Sequence, residues 1–297
     1  MKNSKVRAFG RLMGMAMACT SGAEALAQAP SFSGIPGVLD ITESTASAVS
    51  PNGRYVFVST FTTVIESNRG IRYDRLSGQQ LSFSDRGYSM NAVLDSGVVY
   101  GYGSLSVFDP LLATRWTPET GQIVQSQRLG GGTRDFLVRV SPDGRWGLGY
   151  SRAGSFAPDN APDNPRTPTL FDLSRTDVLL PIDLDAGRGN FVETIAGLTL
   201  PINGLPLSYA TAVGNGTRTG LAWFGANATP MVQTCEVYDV TPKGDLVLGK
   251  VGAAFFVRGN GQERYLTAPT SPFLMSDPTP ARMSADGSVV VGTSLAP

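Results

Sequence analysis

The sequence predicts an all-β chain folded as a six-bladed β-propeller, and three observations carry that prediction. One local pattern is written five times: VSPNGRYVFVST (Val49 to Thr60), VLDSGVVYGYGS (Val93 to Ser104), VSPDGRWGLGYS (Val140 to Ser151), VTPKGDLVLGK (Val240 to Lys250) and MSADGSVVVGTS (Met283 to Ser294). The turn glycines of these copies, Gly53, Gly97, Gly144, Gly244 and Gly287, stand 44, 47, 100 and 43 residues apart. A period in the forties, all strand and turn, is the spacing of four-stranded propeller blades. Composition agrees: with 35 glycines, 20 prolines and only 16% charged residues, the chain suits short strands joined by turns.

In chain order, residues 1–27 read as an export signal. MKNSKVRAFGR is basic without an acid, LMGMAMAC is a short apolar core, and Ala25-Leu26-Ala27 is a small-x-small cleavage pattern before Gln28. A second reading of the leader is a lipoprotein signal with a lipid anchor at Cys19, although Ala16 stands where such signals usually hold leucine. The apolar core is far shorter than the roughly 20 residues of a membrane span, and the mature chain contains no transmembrane segment by sequence. Residues 28–297 then form one β-propeller domain.

Each repeat copy has the mechanics of a hairpin. In Ser50-Pro51-Asn52-Gly53 and Ser141-Pro142-Asp143-Gly144, proline presets φ, Asn or Asp suits the next position, and glycine takes the left-handed conformation. The turn residues of the repeat are thus Asn52, Gly53, Asp95, Gly97, Asp143, Gly144, Gly244, Asp286 and Gly287. Five residues past the turn glycine stand Gly149, Gly249 and Gly292, and a glycine inside a strand marks close approach of a neighbour. The interval of 100 leaves room for a sixth copy, assigned to Tyr209 to Phe224 with Gly216 as its turn, and for a Pro/Asn-rich loop insertion near 155–168. Segments such as IRYDRLSGQQLSF and ATRWTPETGQIVQ supply the second hairpin of each blade. Pairing of the N-terminal strand Gly37 to Ile41 beside Val289 to Gly292 closes the ring and removes the free sheet edges. A seven-bladed ring, a β-solenoid and a β-sandwich are the alternatives.

RWTPETG, RLGGG and VSPDGRWGLGYS, read with MSADGSVVVGTS, resemble the HAF-type repeats of bacterial extracellular proteins. The likeness is close over Ala113 to Ser151 and Ala281 to Ser294, loose elsewhere, and lacks the HAF tripeptide itself. The SPDG turns are also similar to the WD40-like repeats of TolB-type six-bladed propellers. Both resemblances imply a propeller and an exported location; neither implies an active-site residue, so the catalytic set stays unknown.

Composition removes much chemistry. Net charge is zero, which gives no electrostatic pull on nucleic acid. With no histidine, Ser-His-Asp and Cys-His nucleophiles and His-ligated metals are excluded. Loss of Cys19 with the leader leaves Cys235 as a lone thiol, read as a buried small hydrophobe. Asp95, Asp143 and Asp286 recur at blade spacing and read as turn chemistry. SPDGRW is similar to the Asp box of sialidases, with the wrong spacing. APDNAPDN (Ala157 to Asn164) lacks the frame of a calcium loop, and LGGGTR (Leu129 to Arg134) lacks the lysine and helix of a phosphate loop. Trp116, Trp146 and Trp223 lie in strand patterns and read as core. No cofactor and no metal site is expected.

These readings describe a bacterial, exported, non-catalytic interaction module in the periplasm or at the cell surface, with an unknown protein or glycan as partner. The competing reading is a secreted carbohydrate-active hydrolase or lyase on the same scaffold, drawing on Glu66, Glu193, Glu236 and Asp239. A passenger fragment of a larger surface protein is a third. Channel lining discriminates the first two: converging carboxylates favour the enzyme, small or apolar residues the module.

Overall fold

The computed structural model describes residues 43–62, 67–84, 88–104, 110–127, 134–152, 166–186, 191–227, 231–233, 235–252, 254–260, 262–266, 276–284, 286–288 and 290–295. All of them lie in the compact unit Val38–Pro297, and none is helical. Sheet one holds β1 (Glu43–Val49), β2 (Tyr55–Thr62), β3 (Ser67–Asp74) and β4 (Gln80–Ser84). Sheet two holds β5 (Ser89–Val93), β6 (Val99–Gly103), β7 (Leu112–Thr117) and β8 (Gln122–Gln125). Sheet three holds β9 (Arg134–Val140), β10 (Trp146–Arg152), β11 (Arg166–Asp172) and β12 (Leu180–Asp183). Sheet four holds β13 (Phe191–Leu198), β14 (Leu207–Gly214), β15 (Thr217–Phe224) and β16 (Met231–Val232). Sheet five holds β17 (Glu236–Val240), β18 (Leu246–Val251), β19 (Ala254–Gly259) and β20 (Gln262–Tyr265), and β21 (Ser276–Met283) pairs with β22 (Val290–Leu295) as a sixth, two-stranded sheet. Strands pair antiparallel in chain order within every sheet.

The first strands form an inner row, because β1 packs on β5, β5 on β9, β9 on β13, β13 on β17 and β17 on β21. Fourth strands lie outermost, and β20 is exposed along its whole length. The apolar cores lie between successive sheets. Phe57 and Trp116 pack between sheets one and two, Leu137 and Tyr100 between two and three, Trp146 and Trp223 between three and four, and Ala196 and Phe256 between four and five. All three tryptophans are thus core residues, as is Cys235.

The turn between first and second strands is built around one hydroxyl. Ser50 donates to Asn52 Oδ1 at 2.8 Å and accepts the N–H of Tyr55 at 2.9 Å. Ser141 donates to Asp143 Oδ1 at 2.5 Å and accepts the N–H of Trp146 at 3.0 Å. Thr241 accepts the N–H of Leu246 at 3.1 Å, and Ser284 donates to Asp286 Oδ1 at 2.6 Å. The turn glycines Gly53, Gly97, Gly144, Gly244 and Gly287 all have φ between 68 and 82°, the region that costs an L-residue about 1–2 kcal/mol. Asp95 acts differently, accepting the N–H of Asn52 across to sheet one at 2.9 Å.

Three residues before each such turn, the first strand carries a β-bulge. The ladder skips Ser47, Asn91, Val138, Ala196, Tyr238 and Ala281 in the six sheets. The skipped residue bends the strand and brings its carbonyl row against the second strand. A Cβ on Gly149 would lie 1.7 Å from the Phe136 carbonyl oxygen, on Gly101 2.0 Å from that of Ser89, and on Gly249 3.0 Å from that of Glu236. Each of those carbonyls belongs to the residue five before the turn hydroxyl or its equivalent. In sheet two, Leu94 replaces the hydroxyl and the turn closes at Val98, one residue early, which is why Gly101 follows its turn glycine by four rather than five. Gly292 pairs with Pro280 in the sixth sheet.

The bulge corrects the assignment of the sixth copy. Gly216 turns between β14 and β15, the second and third strands of sheet four, so it is not the equivalent of Gly144. The equivalent turn starts at Thr199, three residues after the bulge at Ala196, and ends at Leu207. Thr199 Oγ1 accepts the N–H of Leu207 at 3.1 Å, as Ser141 does for Trp146. The extra residues form an inner Asn203-Gly204 turn, both at positive φ, that presents Ile202 to solvent. Of the insertion expected near 155–168, residues 155–165 lie outside the described residues, and β11 already begins at Arg166. The strand assigned to Gly37 to Ile41 also lies outside them.

Successive sheets are cross-tied by side chains. Buried Arg72 on β3 donates to the Gly97 carbonyl and pairs with Glu119 in sheet two. Arg115 on β7 donates to the carbonyls of Leu173, Arg175 and Thr176 in sheet three. Trp146 Nε1 donates to the Gly204 carbonyl of sheet four at 3.1 Å.

Two glycine substitutions separate close approach from backbone conformation. Gly149→Ala puts a methyl into a backbone carbonyl and should lose about 3 kcal/mol or more. Gly216→Ala meets nothing within 4 Å and should lose about 1 kcal/mol, the cost of its φ. Equal losses in urea unfolding would overturn the close-approach account.

Candidate functional site

The residue immediately after each bulge occupies the same register position in every inner strand. These six residues are Ala48, Ala92, Arg139, Gly197, Asp239 and Arg282. Three are small, and the other three carry charge. Arg139 donates from Nε to the Ala196 carbonyl of sheet four and from Nη1 to the Val138 carbonyl, each at 3.2 Å. Asp239 Oδ2 accepts the backbone N–H of Met283 in the sixth sheet at 2.7 Å. Burial pushes the Arg139 guanidinium down to about 10, with repulsion from Arg282 adding to the shift and Asp239 opposing it. Burial also pushes Asp239 above the usual carboxylate range, against the Met283 N–H and both arginines. Arg282 is lowered by burial and supported by Asp239. The three groups share one electrostatic site although they come from sheets three, five and six.

A second polar group sits at the opposite, starting ends of the inner strands. Arg218 holds Glu193 through two bonds of 2.6 and 2.8 Å, and that contact keeps the Glu193 carboxyl below its ordinary range. Tyr238 donates its hydroxyl to Glu236 Oε2 at 3.0 Å. Burial and the Glu236 charge push the phenol up to about 12, and Arg218 and Glu193 both lie near enough to act on it. Beside this group Phe136 and Tyr150 stack with centroids 4.7 Å apart, and the Arg166 guanidinium lies 4.9 Å over Tyr150.

Of the four carboxylates considered from sequence, the structure brings Glu193 and Glu236 together around Arg218 and sets Asp239 in the charged inner site. Glu66 lies outside the described residues, as does APDNAPDN. Asp143 and Asp286 hold turn hydroxyls and Asp95 an adjacent turn, so none lies in the inner site. Burial pushes the Cys235 thiol up, away from nucleophilic use at neutral pH. Among the described residues no group of three or more His, Cys, Asp or Glu forms a metal cradle, and no helix is long and apolar enough to cross a membrane. Arg139 and Arg282 were not singled out from sequence. Their signal is positional: each lies two residues before a repeat serine, where the other copies have Ala, Gly or Asp.

No family model matches the chain, and no similar curated protein is found. Among solved structures, the chain is similar to the β-propeller domain of the Trilobed protease from Pyrococcus furiosus, at 16% identity and a TM-score of 0.49, over 76% of this chain and 67% of that one. It is similar to TolB from Acinetobacter baumannii at 13% identity and a TM-score of 0.48, covering 75% of this chain and 53%, about half, of TolB. It is also similar to an oligogalacturonate lyase in complex with manganese, at 9% identity and a TM-score of 0.44, over 84% and 85% of the two chains.

The position of Asp239 has a pH signature. Its folded-state carboxyl titrates above the unfolded value of about 3.9, so the folded chain binds more protons in that window. Its ionisation therefore costs stability as pH rises from the ordinary carboxylate range through the raised value. Asp239→Asn keeps an acceptor for the Met283 N–H and removes the charge. Urea midpoints from pH 4 to 7 should show the variant gaining on the wild type as pH rises. A gap moving the other way would mean that the arginines, not burial, dominate this carboxylate.

Proposed function

We propose that the chain is an exported, non-catalytic binding module built as a six-bladed β-propeller, the sixth blade completed by the strand Gly37 to Ile41 beside β22. Residues 1–27 serve as the export signal, with lipid attachment at Cys19 as the alternative processing, and the mature chain works in the periplasm or at the cell surface. The inner strands of the six blades line the central channel, and its ligand is a protein or a glycan.

One observation carries the non-catalytic reading: past the bulges, the inner row has three small residues, two arginines and a single carboxylate. A glycoside hydrolase needs two carboxyl groups about 5 to 9.5 Å apart flanking the scissile bond. Asp239 instead faces two guanidiniums and a backbone N–H. The one observation favouring a hydrolase or lyase is the group Glu193, Glu236 and Tyr238 at the other end of the row. There Glu193 is held by Arg218 in a bidentate pair, and a phenol pushed up to about 12 stays protonated at neutral pH. A general base works best with a pKa near the operating pH.

The purified mature chain, 28–297, should release no reducing ends and generate no unsaturated uronate from a panel of neutral and acidic polysaccharides. Turnover lost in Glu236→Gln would establish the enzyme instead. For the ring closure, removal of residues 28–42 should lower the melting temperature by roughly 10 °C or more, since 1 kcal/mol is worth about 2–4 °C in a domain of this size. An unchanged melting temperature would mean that this segment does not complete the sixth blade.

A further inference from the structure

We infer that the long turn of sheet four is a self-association surface, on which a second copy of this chain docks about a two-fold axis. The contact concerns the rim of the molecule and does not depend on the channel reading.

Apolar surface is concentrated there. Of the ten large hydrophobic residues exposed among the described residues, six belong to sheet four or its turns: Leu200, Ile202, Leu205, Phe224, Met231 and Val232. The other four, Val49, Leu76, Val251 and Tyr265, are spread over sheets one and five. Leu200, Ile202, Leu205 and Phe224 form one patch. Phe224 pairs with Leu207, the Gly225 N–H bonds the Pro206 carbonyl, and a Cβ on Gly225 would lie 3.0 Å from the Leu205 methyls. Ile202 and Leu205 face each other across the turn.

This turn is longer than its role in the fold requires. Thr199 accepts from Leu207 eight positions on, where Ser141 accepts from Trp146 five positions on. The extra residues are stiff: Ile202 and Leu205 exchange backbone bonds of 2.8 and 3.2 Å around Asn203-Gly204, at φ of 54 and 83°, and Pro201 and Pro206 flank them. Two backbone groups wedge the hairpin between its neighbours. The Gly204 carbonyl accepts Trp146 Nε1 of sheet three, and the Leu200 N–H donates to the Pro242 carbonyl of sheet five. Neither bond uses the apolar side chains of Leu200 and Ile202, which stay 40% and 53% exposed. A preorganised projection loses little freedom on docking, and a contiguous exposed apolar patch of about 300 Å² marks an interaction site.

The flanking turns say what fits it. Sheet three carries Asp143-Gly144-Arg145 and sheet five carries Lys243-Gly244-Asp245, the same turn positions with the signs reversed. All four charged side chains are exposed, and none makes an ion-pair contact with another described residue. A two-fold axis run along sheet four from its outer to its inner strand, at the hairpin tip, sets sheet three of one copy against sheet five of the other. Asp143 then meets Lys243 of the second copy and Arg145 meets its Asp245, with hairpin against hairpin between them. Such an isologous contact needs a patch complementary to itself, which the reversed signs supply. Zero net charge adds no long-range repulsion between copies. The patch is small beside the roughly 800 Å² that a standard interface takes from each partner, so the dimer is weak.

Sedimentation velocity across the micromolar range tests this on residues 28–297, which contain the whole compact unit. The wild type should pass from monomer to dimer. Ile202→Asp, with its side chain already half in water, should raise the dissociation constant at least tenfold at an unchanged melting temperature. Arg145→Asp and Asp245→Arg each install the residue that the other turn holds at that place. Singly, each should weaken the dimer about fivefold; together they should restore it, because the pair is rebuilt with its signs exchanged. Damage to the turns would instead add. A chain that stays monomeric, a dimer indifferent to Ile202→Asp, or losses that add in the double variant would each overturn the two-fold contact.

Discussion

The bend in the first strand of every sheet is the constraint on which the rest of this molecule depends. In each of them the residue three before the turn drops out of the ladder, and the first strands of the fourth and sixth sheets carry a second irregularity nearer their start. The bend drives a backbone carbonyl toward the second strand, and in sheets two, three and five a glycine there has no side chain to obstruct it. The same bend sets the next residue in a common register position along the inner row. Turn hydroxyl, strand glycine and inner-row charge are therefore parts of one device, repeated with local substitutions.

Much of this was legible in the sequence, and the reason is geometric. Turn residues such as Asn52, Asp143 and Gly144 act through contacts within a few positions, so their chemistry can be read from the short stretch that contains them. The four-stranded, all-β organisation follows from the spacing of those stretches. The sixth copy was misplaced because sheet four stretches its turn from Thr199 to Leu207 and hides the pattern, while Asn215-Gly216, one strand along, imitates a turn signal. Only the hydrogen bond from Leu207 to Thr199 and the bulge at Ala196 identify the true equivalent.

The charged inner row was not legible for a different reason. Arg139, Asp239 and Arg282 are 100 and 43 residues apart, and what unites them is a register set by the bulge rather than any motif. A lone arginine before a valine and a serine reads as an ordinary exposed strand residue. Its meaning depends on which side of a bent strand it occupies. The same holds for Glu193, Arg218 and Glu236, drawn from the first and third strands of one sheet and the first strand of the next.

The placement of the cores between sheets, rather than within them, has a consequence for how the molecule comes apart. A middle sheet covers an apolar layer on each of its two faces, so peeling it away wets two interiors at once. An isolated sheet has no inside of its own. Local fraying is therefore confined to outer strands such as β20, and deeper opening spreads from neighbour to neighbour like falling dominoes, making the chain all-or-none despite its modular text.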